Sequence, residues 1–307
     1  MSAVSTAQTL IGPLLALSLA PLAGGLIART KSIAAGRKGA PLSQPWLDIG
    51  KLLRKGEVTS NATTWVFRAG PVVGLAAVLT AVALVPWMGG PAPLAFPGDL
   101  VLLALLLALM RFVTVLAALD TGSSFEGMGA SREAAFSVLA EPALLLSLST
   151  LARGTGAWSL SDMLGPPAGQ AWPVMGPALG LLVVSLFVLL LSENSRIPID
   201  DPNTHLELTM IHEVMVLDHS GPSLAFIEYA AALKLWVFQA LLVGLVLPFR
   251  TGSLAADLVL FLAGMAAVSV AVGVVESSMA RLQLPRVPQL LLGVTVLAGF
   301  SLILTLR

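Results

Sequence analysis

Apolar runs long enough to cross a lipid bilayer recur eight times along this sequence, and they constrain the fold more than any other feature. A spanning helix needs about 20 predominantly apolar residues. The runs lie at about 7 to 28, 67 to 89, 99 to 119, 132 to 152, 173 to 193, 225 to 248, 254 to 276 and 287 to 305. Only 11% of the 307 residues are charged, whereas soluble domains carry roughly 25%. The sequence therefore predicts an all-α polytopic membrane bundle that forms one domain over residues 1–307, and it excludes an ordinary soluble protein.

Lysine and arginine residues gather in the connections after the first, third, fifth and seventh runs. Those connections hold twelve of them, and the opposite side of the membrane holds three, Arg153, Arg250 and Arg307. Because positively charged loops stay in the cytoplasm, we expect the long loops on the cytoplasmic side of a bacterial or archaeal membrane and both termini outside. The first run lacks the basic segment of a signal peptide and is predicted to be a retained helix. The net charge is zero, so no overall field indicates nucleic acid as a partner.

The segment QPWLDIGKLL in the first long loop has the pattern of a short amphipathic helix. Its tryptophan, isoleucine and leucines form an apolar stripe, while Lys51 and the Arg54 and Lys55 that follow stay in water or among lipid phosphates. Two interpretations stay open: an anchor at the membrane surface, or a docking surface for a cytoplasmic partner. For the second, the residues predicted to contact the partner are Arg37, Gln44, Pro45, Trp46, Asp48 and Lys51, together with Arg196 from a later loop.

Three ionisable residues, Arg111, Glu141 and Lys234, lie inside the apolar runs. At the helical rise of 1.5 Å per residue, each lies about 13 Å from the predicted cytoplasmic boundary. They therefore belong to one polar layer. An ionisable group at this depth costs several kcal/mol unless it finds a partner or water, so each is a functional candidate.

Five carboxylates lie nearer that boundary: Asp120, Glu133, Glu193, Glu228 and Glu276. Because neighbouring charges tune the proton affinity of buried carboxylates, the eight groups predict a hydrated proton or ion pathway from the cytoplasmic surface to the middle of the membrane. The alternative is that Arg111, Glu141 and Lys234 form structural ion pairs that only hold the bundle together.

The three histidines, His205, His212 and His219, follow one another at intervals of seven residues between the fifth and sixth runs. On a continuous helix they would lie about 10 Å apart, too far to share one metal ion. We therefore expect no metal site, but a polar cytoplasmic helix whose imidazoles face water or a neighbouring subunit. The chain has no cysteine, which excludes thiolate-held iron–sulfur clusters within it, and it carries no motif of a catalytic site.

Several motifs together resemble the respiratory complex I subunit 1 family. ENSRIPIDDPNTHLELTMIHEVMVLDHSG, GASREAAFSVLAEP and QPWLDIGKLL are similar to the family's long cytoplasmic loop, its fourth-helix motif and the element after its first helix. Within that family, the strings LDTGSSFEGMGASRE, DPNTHLELTMIHE and ESSMARL look closer to the membrane subunits of energy-converting nickel–iron hydrogenases and formate hydrogenlyase.

This resemblance implies a bundle that docks hydrogenase-like large and small cytoplasmic subunits and passes redox energy to antiporter-like membrane subunits. It implies that the nickel–iron centre and iron–sulfur clusters lie on those partners, and that this chain holds no cofactor. The acidic groups at the junction would be Glu141, Glu193, Asp200, Glu207 and Glu228. The predicted function is a membrane-anchoring, ion-coupling subunit of a hydrogenase or formate hydrogenlyase-like complex, without catalysis of its own. The alternatives are a quinone-reactive complex I subunit, a free-standing secondary transporter and a purely structural anchor.

Overall fold

A computed structural model describes residues 3–87, 90–200, 211–249 and 251–306. These ranges contain helices and connecting turns and no β-strand, which confirms the all-α prediction. The α-helices are α1 (Ala3–Ala34), α2 (Gln44–Leu52), α3 (Trp65–Leu84), α4 (Asp99–Asp120), α5 (Ser124–Thr155), α6 (Leu160–Met163), α7 (Pro166–Glu193), α8 (Gly221–Val246), α9 (Leu254–Ser278) and α10 (Val287–Leu304). All except α2 and α6 belong to segments long and apolar enough to cross a membrane, so the predicted number of spans, eight, is also confirmed.

Three of the spanning helices extend well beyond the predicted apolar runs, and one of them, α1, continues six residues past the end of its run. Helix α5 has 32 residues, about 48 Å at the α-helical rise, and its first turns carry the polar string SFEGMGASRE. Helix α7 begins seven residues before its apolar run and bends at Met175, where φ is −121° and ψ is 22°. The bend lies just before Pro177, whose ring clashes with the carbonyl group four residues earlier in a regular helix.

Helix α8 is the centre of the bundle. In its most apolar stretch 78% of the residues are buried, against 28–44% for the other seven spans. It packs against α1, α3, α7 and α9. A side chain on α8 therefore faces other helices in almost every direction, and this environment surrounds Lys234.

One end of the bundle holds the long loops, and we call it the basic end: there α1, α4, α7 and α9 finish, and α3, α5, α8 and α10 begin. Contacts between distant loops hold it together. The carboxylate of Asp120 accepts hydrogen bonds from the Thr64 and Phe67 amides at the start of α3. Gly221, at φ 54°, starts α8 so close to the loop before α3 that a Cβ atom would lie 2.8 Å from the Gly56 oxygen.

Helix α2 confirms the predicted amphipathic helix at the basic end. Its Trp46 indole nitrogen donates to the Ser18 carbonyl at 3.1 Å, and the Trp46 ring packs 5.6 Å from the Tyr229 ring. Ile49 is buried, while Leu47 is 52% exposed. The helix is therefore fixed to α1 and α8 along one side and keeps apolar surface on another.

Candidate functional site

Arg111 on α4 holds three carboxylates inside the bundle. Its Nη2 lies 2.6 Å from Glu193, its Nη1 lies 2.7 Å from Glu141 and its Nε lies 3.1 Å from Glu133. A guanidinium group can pair with several carboxylates at once because its three nitrogens lie in a rigid plane and carry five N–H donors. One residue therefore joins α4 to α5, which carries Glu133 and Glu141, and to the last residue of α7.

Lys234 on α8 completes the predicted polar layer through a carboxylate. Its Nζ lies 2.9 Å from Glu193 Oε2, so Glu193 bridges Lys234 and Arg111. The side chains of Glu193 and Lys234 are only 5% and 8% exposed. Removing one member of such a pair would leave a buried charge without compensation, which costs about 3–5 kcal/mol. The helical positions of Glu133 and Glu193 predicted that they lie nearer the cytoplasmic boundary than Arg111. Their side chains are long enough to reach Arg111 all the same.

His212 extends this set of charges toward the basic end. Its Nε2 lies 3.1 Å from Glu133 Oε2 and its Nδ1 lies 3.5 Å from Asp200 Oδ2. Asp200 also accepts the backbone amides of Ile211 and His212, both at 3.1 Å. On its other oxygen, Asp200 pairs with Arg281 at 2.9 Å. The charged network therefore runs from Lys234 through Glu193, Arg111, Glu133, His212 and Asp200 to Arg281, with Glu141 as a side branch.

The electrostatic environment makes His212 a cation at neutral pH. Burial alone would lower its pKa, but the carboxylates of Glu133 and Asp200 outweigh burial and raise the pKa of His212 to about 9. Burial would likewise raise the pKa of Asp200, but His212 and Arg281 hold it below its usual value. With His212 protonated, the network contains four cations and four carboxylates.

The prediction of a polar helix with water-facing imidazoles is wrong for residues 211–219. In place of an α-helix, Glu213–Val216 form one 3-10 turn. His212 reaches into the network, and the His219 ring stacks on Phe67 with 3.9 Å between centroids. Burial lowers the pKa of His219 to about 4, so it stays neutral where His212 is charged. His205 lies outside the described residues.

A small cavity lies beside this network. Its wall includes Glu133, Glu193 and His212 and the hydroxyl-bearing Ser137 and Ser192. Its volume of about 10 Å³ holds about one water molecule, and the polar groups in its wall provide hydrogen-bond partners. The cavity therefore leaves room for about one water beside three members of the charged network.

Glu276 belongs to a second cluster at the basic end. Its carboxylate is fully buried and pairs with Lys31 at 2.9 Å and with Arg196 at 3.5 Å.

Glu228 on α8 is exposed and lies within electrostatic range of Arg196 and Asp48. The ion pairs of Arg111 are with other carboxylates, so the predicted pathway residues divide into two groups. Asp120 belongs to neither because it caps α3, and Glu207 lies outside the described residues.

The residues predicted to contact a cytoplasmic partner also fall into two groups, exposed residues and residues that contact other parts of the chain. Arg37 is exposed in the first loop. On α2, Asp48 accepts from Gln44 at 2.8 Å and pairs with Lys51 at 3.4 Å, and the Lys51 side chain is 67% exposed. By contrast, Trp46 and Arg196 make contacts within the chain, and Pro45 is half-buried in the first turn of α2. The exposed part of this surface is therefore Arg37, Asp48 and Lys51.

The spacing of the histidines did not predict that His212 joins the charged network. An interval of seven residues places side chains on one face only if the helix is continuous, and this segment is not a continuous helix. The signal lay instead in the string DPNTHLELTMIHE, which carried the resemblance to hydrogenase membrane subunits. Among the described residues, no group of three or more His, Asp or Glu side chains has the arrangement of a metal site.

Comparison with known proteins decides the family. The sequence pattern described as NADH dehydrogenase matches residues 10–306. This chain belongs to the NADH dehydrogenase family. The resemblance to complex I subunit 1 that the motifs indicated is thereby confirmed.

Within the NADH dehydrogenase family, two relatives from Escherichia coli (strain K12) cover most of the chain. Formate hydrogenlyase subunit 4 is 32% identical over 98% of this chain and 99% of its own length. Hydrogenase-4 component C is 34% identical over 76% of this chain and 72% of its own length. A subunit of the NADH-quinone oxidoreductase of Rubrobacter xylanophilus is 28% identical over 65% of this chain and 60% of its own length.

The fold also has a counterpart among solved structures. A chain of the membrane-bound sulfane sulfur reductase, an archaeal respiratory membrane complex, superimposes with a TM-score of 0.84. The match covers 98% of this chain and 99% of that chain at 19% identity. At this identity the likeness concerns the fold alone.

Proposed function

We propose that this chain is the membrane-embedded, non-catalytic subunit of a complex of the formate hydrogenlyase or hydrogenase-4 type. In this role it anchors cytoplasmic redox subunits and couples their electron transfer to the movement of protons or other ions. The full-length similarity to formate hydrogenlyase subunit 4 supports the type of complex. The eight apolar helices support a place within the membrane.

The observation that carries the coupling role is the continuous charged network from Lys234 to Asp200. Each charge in it lies next to an opposite charge in a largely buried environment, where electrostatic interactions are strong. A proton gained or lost by one member therefore changes the proton affinity of the next. A purely structural anchor requires only that each buried charge has a partner. It does not require the ion pairs to form a continuous series from Lys234 to the loops.

Asp200 and Arg281 mark the end of the network at which redox partners would act. The turn after α9 contacts the loop after α7 twice, through Arg281 on Asp200 and through the Leu282 amide on the Pro198 carbonyl at 2.8 Å. A change of charge on a partner above these loops alters the field at Asp200. The proton on His212 responds, because Asp200 is one of its two carboxylate partners, and the change passes to Glu133 and Arg111.

The partners follow from the same proposal. Hydrogenase-like large and small subunits, which hold the nickel–iron centre and iron–sulfur clusters, bind at the basic end, where Arg37 and Lys51 are exposed. Antiporter-like subunits lie beside the bundle in the membrane. The basic end faces the cytoplasm, because its loops hold most of the lysine and arginine residues.

The test is Glu141→Gln in the assembled complex, with hydrogen evolution and the ion gradient measured separately. Gln is nearly isosteric with Glu but carries no charge and does not exchange a proton, so we expect hydrogen evolution to continue while the gradient is lost. Glu126→Gln is the matched control: Glu126 lies on the same helix and is buried, but its carboxylate accepts the Asp218 amide and lies outside the network. A gradient that survives in the Glu141 variant at the control level would remove Glu141 from the pathway.

A further inference from the structure

Arg68 is an exposed cation near the start of the spanning helix α3. Its Nη2 donates to the Thr59 hydroxyl at 3.1 Å, which holds one side of the guanidinium against the loop before the helix. Among the described residues, Arg68 forms no ion pair. A guanidinium carries five N–H donors. Most of the donors of Arg68 are therefore left for a group outside the chain.

The depth of Arg68 is that of a membrane surface. Helix α3 has 20 residues, about 30 Å at the helical rise, and the hydrocarbon core of a bilayer is also about 30 Å thick. The first turn of α3 therefore lies at the boundary between lipid tails and headgroups. Trp65, three residues before Arg68, is on the same face of that turn and is 77% exposed. Tryptophan is enriched at this level of membrane proteins, so both side chains face the layer that contains the lipid phosphates.

An apolar stripe continues from Arg68 toward the middle of the membrane. Val72, Ala76 and Leu79 follow Arg68 at intervals of four, four and three residues, which places them on one face of the helix. All of them are exposed. The stripe covers about 17 Å along the helix from Arg68 to Leu79. A cation at phosphate depth with an apolar track below it matches the order of groups in a phospholipid, in which the acyl chains follow the headgroup.

The surroundings of Arg68 favour a headgroup with a net negative charge. Arg54 and Lys55 are exposed in the loop that leads to α3. The acidic groups of this region are engaged within the chain, since Glu57 accepts a hydroxyl of α8 and Asp120 accepts amides at the start of α3. The ammonium group of a zwitterionic headgroup would meet the free cations, whereas an additional negative charge would be attracted to them.

We propose that this face of α3 binds an anionic phospholipid, with its phosphate on Arg68, its glycerol region beside Trp65 and one acyl chain along the apolar stripe. The planar guanidinium can pair with two phosphate oxygens through parallel hydrogen bonds. The lipid supplies the counter-charge that the described residues do not provide for Arg68. This inference needs the bundle to lie in a membrane, but it does not depend on the proposed coupling role.

A soluble anion and a protein helix fit this face less well than a lipid does. Free phosphate would pair with Arg68 but would leave the apolar stripe below it unused. A helix of another subunit would have to pack over the projecting Trp65 side chain and to place a carboxylate at the level of Arg68. A phospholipid meets the charge requirement and the apolar requirement in one molecule.

The experiment measures lipid binding by the assembled complex after purification in detergent and removal of lipid. Native mass spectrometry counts the phosphatidylglycerol molecules that the complex retains during a titration. We expect Arg68→Gln to weaken the binding of one phosphatidylglycerol by about fivefold, the effect of one basic residue near a membrane surface. Arg286→Gln is the matched control, because Arg286 is exposed just before α10 at the same end of the bundle but has no tryptophan within one helical turn. It should bind lipid as the wild-type complex does.

Two further measurements distinguish the source of the phosphate and a loss of fold. We expect phosphatidylcholine to bind the wild-type complex more weakly than phosphatidylglycerol, and millimolar inorganic phosphate to leave the bound lipid in place. Without lipid, Arg68→Gln should unfold at nearly the wild-type temperature, because Arg68 contributes only its bond with Thr59. Added phosphatidylglycerol should raise the unfolding midpoint of the wild-type complex more than that of the variant, because a ligand that binds the folded state stabilises it.

A photo-crosslinking amino acid at Val72, in the assembled complex within native membranes, identifies the occupant directly. We expect an adduct with phospholipid, and a cross-link to another protein subunit would show that a protein covers this face. The inference also fails if Arg68→Gln retains phosphatidylglycerol as the wild-type does, if phosphatidylcholine binds equally well, or if inorganic phosphate displaces the lipid. None of these results bears on the Glu141→Gln test, so the proposed function stands or falls separately.

Discussion

His212 is the residue whose protonation balances the charged network. Its two partners, Glu133 and Asp200, are 7% and 2% exposed, so neither carboxylate has much water to compensate it. A neutral imidazole would leave the eight network groups with one excess negative charge. The fold and the proton on His212 are therefore thermodynamically linked.

We predict that the stability of the full-length chain falls as the pH rises from 6.5 to 9, and that His212→Gln reduces this dependence. The pKa of His212 is raised from 6.5 in the unfolded chain to about 9 in the folded one. The stabilisation is therefore complete below pH 6.5 and is lost as the pH passes through about 9. The measurement is the thermal unfolding midpoint in detergent at a series of pH values.

The control for this prediction is His219→Gln. Burial lowers the pKa of His219 to about 4, so this side chain is neutral throughout the same pH range. Loss of its stacking contact with Phe67 should lower the unfolding midpoint by a similar amount at each pH. If the His212 variant keeps the wild-type pH profile, His212 does not carry the proton that balances the network.

At the scale of elements, a glycine on α5 lets the segment with His212 lie against that helix. A Cβ atom on Gly129 would overlap the Val214 side chain and would lie 3.0 Å from the Ile211 carbonyl oxygen. Gly129 is one helical turn before Glu133, which contacts His212. The approach of these two segments therefore depends on the absence of a side chain at residue 129.

We predict that Gly129→Ala destabilises the protein and flattens its pH profile, as His212→Gln does, because the displaced segment carries His212 away from Glu133. Gly127→Ala is the control, since a Cβ atom there meets nothing within 4 Å. Alanine favours a helix over glycine by about 0.5–1 kcal/mol, so this control should be neutral or slightly stabilising. Equal behaviour of the two variants in thermal unfolding would mean that the segment adapts without moving His212.

A second element-scale prediction concerns Asp120, which depth alone had assigned to the ion pathway. Its carboxylate accepts the Thr64 amide at 2.7 Å, the Thr64 hydroxyl at 2.8 Å and the Phe67 amide at 3.2 Å. This is a capping role at the start of α3. We predict that Asp120→Ala costs about 1 kcal/mol of stability, as the loss of a helix cap does, while the ion gradient per hydrogen evolved is unchanged. A loss of coupling without a loss of stability would return Asp120 to the pathway.

The helices could be predicted from the sequence because the bilayer imposes one length and one composition on each span. What hydropathy does not fix is where a helix continues into water. Helix α5 begins with about two polar turns that the hydropathy does not predict. A helix satisfies its own backbone hydrogen bonds in water as well as in lipid, so it can continue past the apolar run. The segment 211–219 could not be predicted from periodicity, because its 3-10 turn follows from contacts with α5 and α4 rather than from its own pattern.

At the scale of the whole molecule, the sequence indicated which groups are charged and how deep they lie, but not which groups meet. Arg111, Glu141 and Lys234 were predicted at one depth, and two of them do contact each other. Within the described residues, the ion pair that joins Lys234 to the layer is the one with Glu193. Pairing therefore depends on helix rotation and side-chain reach, which a single sequence does not specify.

The distribution of charge over the two ends makes a last prediction about the whole molecule, namely its orientation. Because the natural chain has no cysteine, single-cysteine variants report one position each. Asn61 is exposed at the basic end, and Trp158 is 68% exposed at the opposite end, between α5 and α6. We predict that a membrane-impermeant maleimide labels Trp158→Cys in cells with a permeabilised outer envelope and an intact inner membrane, and labels Asn61→Cys only in inverted vesicles.

This expectation follows from the preference of lysine- and arginine-rich loops for the cytoplasm. Labelling of both variants after detergent solubilisation shows that each thiol is reactive, so protection in intact membranes reports the side of the membrane. The reverse pattern would place the His212–Asp200 end of the network outside the cell. Redox subunits in the cytoplasm would then have no access to Asp200, and the proposed coupling would have to begin at the opposite end, where the buried carboxylate of Asp99 accepts bonds from Ser159 and Leu160 and serves as a helix cap.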